Sequence, residues 1–332
     1  MNRPTESIFL SDPTARDSLA SWGEVALIRK LKEWLVDVSP DSPYGMGDDC
    51  AITSIPEGKR QILTTDNLTY GQHFDEQLSG EEAGMKLVKR NLSDIAAMGG
   101  EAGPALLTLL CGPNLSIHWL ETFISGVQNA CLKYNVQIIG GDVSELSPGS
   151  FSAGLAQTGT IGPAFKLRNT ARVGDGIYVT GTLGGTLRGK HFLFEPRLEE
   201  GRWLAARSEC TAMMDLTDGL AKDLEAILPP ESTAALRLAD VPVDLAAHEC
   251  ARKTGKSPIE HAFCDGEDYE LLFCCSKDTD GTVFEAAWRT AFPNLDIRKI
   301  GTVEPSGKAR YVDAATAEPL NFDSGFEHFL PR

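Results

Sequence analysis

The sequence predicts a mixed α/β protein with two domains. Segments typical of buried strands alternate with amphipathic helical segments in both halves of the chain, as in mixed α/β architecture. The length of 332 residues suggests about two domains, and an apolar content of 42% is ample for their cores. We place the boundary at Gly162-Pro163, so that the domains cover 21–162 and 163–332 after a loose extension at 1–20.

The first domain is expected to begin with a helix and to contain four strands. Capping boxes at Ser21–Glu24 and Ser79–Glu82 predict two helix starts; the first helix ends before Pro40 and the second runs to about Met98. The remaining segments are strands at 61–65, 104–111, 136–139 and 151–161, and a helix at 119–134.

The second domain is expected to repeat this alternation. It opens with a basic cluster, Lys166–Arg172, which is unusual in so acidic a chain. The later segments that join a strand to a glycine-rich or acidic turn are 177–185, 213–220 and 266–273.

Charge and composition limit the function. Acidic residues outnumber basic residues 47 to 31, for a formal net charge of −16, which argues against nucleic acid or an anionic membrane as a partner. Neither a signal peptide nor an apolar run of about 18 residues is visible. The eight cysteines show no C-x-x-C spacing and are typical of reduced thiols. We therefore expect a cytoplasmic protein.

Acidic residues recur where strands end or glycine-rich turns begin. Asn91 and Asp94 lie three residues apart on one face of the second helix, while Lys89 and Arg90 are expected to form a solvated flank. The aspartates concerned are Asp48, Asp49, Asp66, Asp94, Asp142, Asp215 and Asp218.

These acids favour magnesium-dependent phosphate chemistry. With the hydroxyls of Thr64 and Thr65 they form a hard oxygen donor set, which selects Mg²⁺, Mn²⁺ or Ca²⁺ rather than Zn²⁺. Many carboxylates beside phosphate-binding glycines suggest several Mg²⁺ ions bridging the phosphates of a nucleotide. The P-loop lysine motif and the H-R-D and D-F-G triplets of protein kinases are absent.

A set of motifs from about Gly23 to the C-terminus resembles the thiamine-monophosphate kinase family. This family belongs to the superfamily of aminoimidazole ribonucleotide synthetase and selenophosphate synthetase. The motifs stand in the family's order as GMGDDCA, TTDNLTYGQHF, NLSDIAAMGG, IIGGD, KLRNTARVGD, VTGTLGG, MDLTDGL and GEDYELLF.

The resemblance implies roles for individual residues. The implied magnesium ligands are Asp49, Thr64, Thr65, Asp66, Asp94, Asp142, Asp215 and Asp218. The implied ATP-binding residues are Gly141, Asp142, Arg168 and Thr217, and the implied substrate-binding residues are His73, Glu267 and Phe326. Asn169-Thr170 and Asp265 depart from the family's pattern.

The resemblance also implies a fold and a reaction. The fold is aminoimidazole-ribonucleotide-synthetase-like: an α+β N-terminal domain that binds metal and ATP, with a mixed sheet that pairs across a homodimer, and an α/β C-terminal domain. The reaction is ATP plus thiamine monophosphate giving thiamine diphosphate plus ADP. We predict that the transfer is direct and in-line, without a protein nucleophile or general base, because the attacking phosphate oxygen is already anionic.

Two alternatives remain open. One is another ATP-dependent enzyme of the same superfamily, of the synthetase type; the other is a non-catalytic protein that binds ATP or thiamine phosphate. Residues 1–23 contain no Cys, which argues against a selenophosphate synthetase. Asp268 and Glu270 are as consistent with a structural role as with a functional one, and His191 and Arg197 are expected to be loop residues rather than phosphate ligands.

Overall fold

The computed structural model of the protein describes residues 7–322. The chain divides into two compact units, which are described separately. Unit 1 comprises Met1–Ile95 and Glu101–Gly162, and unit 2 comprises Ala96–Gly100 and Pro163–Arg332.

Unit 1 is built on a four-stranded mixed sheet. Its helices are α1 (Gly23–Trp34), α2 (Gly80–Ala97) and α3 (Ile117–Tyr134), and its strands are β1 (Arg60–Thr69), β2 (Glu101–Cys111), β3 (Ile138–Glu145) and β4 (Phe151–Ile161). The strand order is β1-β4-β2-β3, with β2 and β3 parallel and the other pairs antiparallel. Burial alternates along β2 and β4, so one face is covered and the other is open.

Two glycines let α2 and α3 pack closely. A Cβ atom on Gly84 would lie 2.0 Å from the carbonyl oxygen of Phe123, and one on Gly126 would lie 2.1 Å from the carbonyl oxygen of Glu81. Any larger residue at either position would push the helices apart. The close packing against α3 fixes the position of α2, which carries Asp94.

Two predicted strand ends are wrong. Asp66 lies inside β1, paired with Leu155, and Asp142 lies inside β3, beside Thr108. Both strands continue because their neighbours β4 and β2 offer further backbone partners, which a pattern within one segment does not reveal.

The first capping box and the loose extension are also wrong. No side chain caps α1; the Ser21 hydroxyl instead donates to the Arg16 carbonyl at 2.8 Å. The described part of the extension, residues 7–20, is anchored, since Ile8 is buried and its carbonyl accepts from the Ser116 N–H at 3.0 Å. The Ser79–Glu82 capping box is confirmed.

Unit 2 is built on a six-stranded sheet. Its strands are β5 (Gly176–Thr180), β6 (Cys210–Asp215), β7 (Ser232–Leu236), β8 (Leu271–Cys275), β9 (Ile297–Pro305) and β10 (Tyr311–Asp313), in the order β10-β7-β9-β5-β8-β6. Its helices are α4 (Lys190–Leu193), α5 (Leu198–Ala205), α6 (Leu220–Ile227), α7 (Leu245–Thr254), α8 (Pro258–Cys264) and α9 (Gly281–Ala291). Among these six strands, β7 and β10 pair in parallel and the other pairs are antiparallel.

Apolar clusters cover both faces of the unit 2 sheet. Met214 and Leu272 belong to one cluster, while the adjacent Met213 and Phe273 belong to the other. Every residue of β8 is buried. The predicted mixed α/β class is confirmed, and none of the helices within residues 7–322 is both long enough and apolar enough to span a membrane.

Candidate functional site

Strand β1 brings two expected ligands against helix α2. The side chains of Thr64 and Asp66 lie on the covered face of the sheet, where α2 supplies Asp94 and Asn91. The Thr64 hydroxyl donates to the Asp94 carboxylate, and the Asp66 backbone N–H donates to Asn91 Oδ1 at 3.0 Å. One side of the sheet therefore brings Thr64, Asp66 and Asp94 together.

Asp66 also contacts a cation that was expected to be in solvent. Arg90 Nη2 lies 3.3 Å from Asp66 Oδ1, and Arg90 Nη1 donates to the Asn67 carbonyl at 2.9 Å. Lys89 is 2% exposed. The predicted solvated flank is therefore wrong, because α2 lies against the sheet and leaves little of either side chain in water.

A cavity of about 1120 Å³ in unit 1 contains most of the other expected residues of that unit. Its volume is in the range of small-molecule sites. Apolar side chains of α1 and of the open sheet face, including Leu31 and Leu106, form much of the wall. The expected site residues that line it are Asp48, Asp49, Thr64, Thr65, Gly141 and Asp142.

Backbone packing requires a glycine at position 141 in the wall of this cavity. A Cβ atom on Gly141 would lie 1.7 Å from the Leu107 carbonyl oxygen, so only glycine fits beside β2 there. The next side chain, Asp142, is exposed on the opposite face of the sheet and accepts from the Ser144 hydroxyl at 2.8 Å.

In the turn before β1, the Asp49 N–H donates to Asp48 Oδ1 at 2.9 Å, so Asp48 orders the turn.

The carboxylates do not form a closed metal site. Among residues 7–322, no group of three or more His, Cys, Asp or Glu residues lies close enough together to hold a metal ion. Thr65 and Asp142 lie on the open face of the sheet, whereas Asp66 and Asp94 lie on the covered face. The all-oxygen donors nevertheless fit Mg²⁺, which keeps several waters and binds through one or two carboxylates.

His73 lies in the loop after β1, held by backbone groups. Its Nδ1 accepts from the Thr69 N–H at 3.0 Å, so a neutral ring carries its proton on Nε2. Its carbonyl accepts from Nζ of Lys86, a fully buried lysine, at 2.7 Å. His73 does not line the large cavity.

In unit 2, the end of β6 and the loop that follows it carry three expected residues, Asp215, Thr217 and Asp218. Asp215 is buried at the end of β6. Asp223 Oδ2 accepts from the N–H groups of Thr217 and Asp218 at 2.9 and 3.1 Å. Burial, together with the nearby Asp218 carboxylate, raises the pKa of Asp223 to about 7. Sequence reasoning missed Asp223; its place in the first turn of a helix was the available signal.

The loop between α8 and β8 is hydrogen-bonded through its backbone to the loop between β6 and α6. The Glu267 N–H donates to the Thr217 carbonyl at 2.7 Å, and the Tyr269 N–H donates to the Leu216 carbonyl at 2.8 Å. Glu267 and Tyr269 have left-handed φ values of 54° and 52°, which are uncommon for residues other than glycine. Unit 2 therefore brings Thr217 and Glu267 together in a strained pair of loops.

The remaining expected residues differ in their placement. Arg168 is exposed in the loop before β5, and Phe326 lies outside the described residues. The two departures from the family's pattern are accommodated: the Thr170 hydroxyl donates to the Thr211 carbonyl at 2.7 Å, and Asp265 lies 2.9 Å from Nδ1 of the buried His261.

Comparison with known proteins relates the chain to one group of enzymes. Residues 47–161 match the family model of the AIR synthase related protein, N-terminal domain. Over 299 residues the chain is 34% identical to a thiamine-monophosphate kinase of Rhodopirellula baltica, covering 87% of this chain and 92% of that one.

Solved structures agree with this relation. A crystal structure of thiamine-monophosphate kinase from Stenotrophomonas maltophilia has a TM-score of 0.72 at 25% identity, covering 87% of this chain and 96% of that one. A structure of AaThiL complexed with AMPPCP and TMP has a TM-score of 0.69 at 29% identity, covering 94% of this chain and 98% of that one.

Proposed function

Because the chain belongs to the thiamine-monophosphate kinase family, we propose that it transfers the terminal phosphoryl group of ATP to thiamine monophosphate, giving thiamine diphosphate and ADP. The observation that supports this proposal is the similarity of the chain, over nearly its whole length, to a relative whose structure was determined in complex with the ATP analogue AMPPCP and TMP. The expected kinase activity follows from the same relation.

We assign Mg²⁺ binding to the oxygen donors implied by the resemblance. Bound Mg²⁺ would screen the charges of the two phosphate-bearing substrates. Thr64 orients the Asp94 carboxylate, Arg90 and Asn91 hold Asp66, and these contacts support a ligand role for both acids. The full proposed set is Asp49, Thr64, Thr65, Asp66, Asp94, Asp142, Asp215 and Asp218.

We assign ATP binding to Gly141, Asp142, Arg168 and Thr217. Gly141 lines the large cavity, and a residue without a side chain allows a phosphate to approach the backbone. Arg168 is exposed and free to reach an anionic group in solvent. The Thr217 backbone is fixed by Asp223 and by Glu267.

We assign thiamine monophosphate binding to His73, Glu267 and Phe326. The thiazolium ring of the substrate is a cation with an aromatic face, which suits a carboxylate and an aromatic side chain. Glu267 offers that carboxylate in unit 2. The His73 ring can offer Nε2–H to a phosphate oxygen, since Nδ1 is already an acceptor for the backbone.

The reaction requires no protein nucleophile. The attacking phosphate oxygen is anionic near neutral pH, so the chain's residues need only to bind and orient the two substrates. His73 is held by its own loop through Nδ1 and is assigned to substrate. We therefore propose direct in-line transfer without a phosphoenzyme.

A homodimer is proposed from the open face of the unit 1 sheet. Leu63 of β1 is 72% exposed and Leu106 of β2 is 44% exposed on this face. Large apolar side chains in solvent are typical of a surface that binds a partner. Sedimentation should give twice the chain mass, and Leu106→Glu should shift it towards the monomer; a wild-type monomer would contradict the proposal.

The activity is tested by a turnover assay with ATP and Mg²⁺ that offers thiamine monophosphate and free thiamine separately. Thiamine diphosphate should form from thiamine monophosphate. Turnover of free thiamine alone would overturn the proposed substrate, and binding of thiamine monophosphate and ATP without turnover would favour the non-catalytic alternative.

A further inference from the structure

A short segment of unit 2 contacts the turn that carries Glu267. This clamp segment, residues 190–197, consists of α4 and the loop that follows it. Three of its side chains form pairs with residues of the Glu267 turn, residues 267–270, and Lys190 Nζ additionally lies 3.7 Å from Glu270 Oε1. The pairs are Lys190 with Asp268, Phe194 with Tyr269, and Arg197 with Glu270.

The first pair is an ion pair around a buried acid. Lys190 Nζ lies 3.1 Å from Asp268 Oδ1, and the Gly184 N–H donates to the same oxygen at 2.9 Å. Asp268 is 1% exposed, and burial raises its pKa to about 6. Since a buried carboxylate without a cation would be costly, Lys190 fixes Asp268 in place.

The last pair, Arg197 with Glu270, is a bidentate ion pair. Arg197 Nε donates to Glu270 Oε2 at 2.8 Å and Nη2 donates to Oε1 at 2.7 Å. The Thr180 hydroxyl at the end of β5 also donates to Oε2, at 2.7 Å. Glu270 is 2% exposed. Such a fork fixes orientation as well as charge, so Arg197 is more than the loop residue expected from sequence.

The middle pair connects the clamp segment to Glu267 itself. The rings of Phe194 and Tyr269 stack with centroids 3.9 Å apart, and the Tyr269 hydroxyl donates to Glu267 Oε1 at 3.1 Å. His191 Nδ1 lies 3.6 Å from Glu267 Oε2. The orientation of the Glu267 carboxylate thus depends on Tyr269, which depends on Phe194.

The backbone of the turn explains why it needs such support. Glu267 and Tyr269 both occupy the left-handed region. Strained conformations of this kind persist only when the surroundings determine them, and they cluster where ligands are held. The ion pairs of Asp268 and Glu270, on either side of Tyr269, stabilise this backbone conformation.

We propose that Lys190, Phe194 and Arg197 are positioning residues that aim the Glu267 carboxylate at the cationic ring of the acceptor substrate. The inference rests on the proposed function, because it takes thiamine monophosphate as the ligand of Glu267. The clamp segment determines specificity for a cationic acceptor through the Glu267 turn.

Two conservative variants test the inference. Arg197→Lys keeps the buried charge and loses the fork, and Tyr269→Phe keeps the stacked ring and loses the donor to Glu267. Each should raise KM for thiamine monophosphate about tenfold, with kcat and KM for ATP within about twofold. Arg188→Gln is the matched control, since Arg188 pairs only at the surface with Glu249, at 3.4 Å, and should leave all constants unchanged.

The outcomes separate this inference from the proposed function. If the wild-type protein phosphorylates thiamine monophosphate but both variants keep its KM, the inference is overturned. Lower melting temperatures or lower kcat at unchanged KM would likewise show a merely structural clamp. A wild-type protein that does not phosphorylate thiamine monophosphate would overturn the proposed function and the inference together.

Discussion

Neighbouring side chains orient three aspartates of unit 1. The Thr64 hydroxyl holds Asp94, the Ser144 hydroxyl holds Asp142, and Arg90 pairs with Asp66. Replacing a group that orients a metal ligand typically lowers metal affinity or activity by roughly 10- to 100-fold. The motifs contain these acids and Thr64, whereas Arg90 and Ser144 lie just outside the quoted motifs.

The first residue-scale prediction concerns Asp94→Asn. The substitution keeps the shape of the side chain and removes its charge, so it should lower kcat at least about 100-fold if Asp94 binds Mg²⁺. It should also reduce the rise in melting temperature that Mg²⁺ with nucleotide gives the wild-type protein. Asp12→Asn, in an exposed turn with Thr14, is the control and should change neither. Wild-type turnover by Asp94→Asn would remove this residue from the site.

A second residue-scale prediction follows from the Asp268 pKa, which burial raises to about 6 from 3.8. Between pH 4 and 6 the folded state therefore binds the proton of the Asp268 carboxyl group more tightly than the unfolded state does. The contribution of this group to the free energy of unfolding falls as pH rises. Asp268→Asn lacks this dependence. Its melting temperature relative to wild type should thus be higher at pH 7 than at pH 4.5. The opposite trend would show that Lys190 dominates over burial.

At the element scale, the sequence predicted most helices and strands but misjudged where several begin or end. Strands β1 and β3 continue beyond the predicted segments 61–65 and 136–139, because strand length depends on the partners β4 and β2. The capping boxes differ for a related reason: α2 begins directly after Ser79, whereas at the start of α1 the Ser21 hydroxyl is taken by Arg16. Local spacing alone does not distinguish the two cases.

The capping difference gives an element-scale prediction. Ser79→Ala should lower the free energy of unfolding by about 1 kcal/mol, because it leaves an N–H group at the start of α2 without its acceptor. Ser21→Ala removes the same hydroxyl where it caps nothing and should cost clearly less. Chemical denaturation of the two variants compares them directly. Equal losses would mean that the capping box contributes no more than an ordinary surface hydroxyl.

At the scale of the whole molecule, fold class and family were within reach of the sequence, whereas the arrangement of the site was not. The Gly141, Thr217 and Glu267 motifs identify a phosphate-binding enzyme of known type. The left-handed Glu267 turn and its clamp segment depend on long-range contacts such as that of Arg197 with Glu270, 73 residues apart in the chain. No spacing rule connects such distant residues.

The central claim is direct transfer from ATP to thiamine monophosphate, and its most direct test uses ATP that is chiral at the γ-phosphorus. A single in-line displacement predicts inversion of configuration at the phosphorus transferred to thiamine diphosphate. Net retention, or radioactive protein trapped after incubation with γ-labelled ATP alone, would reveal a phosphoenzyme and contradict the account.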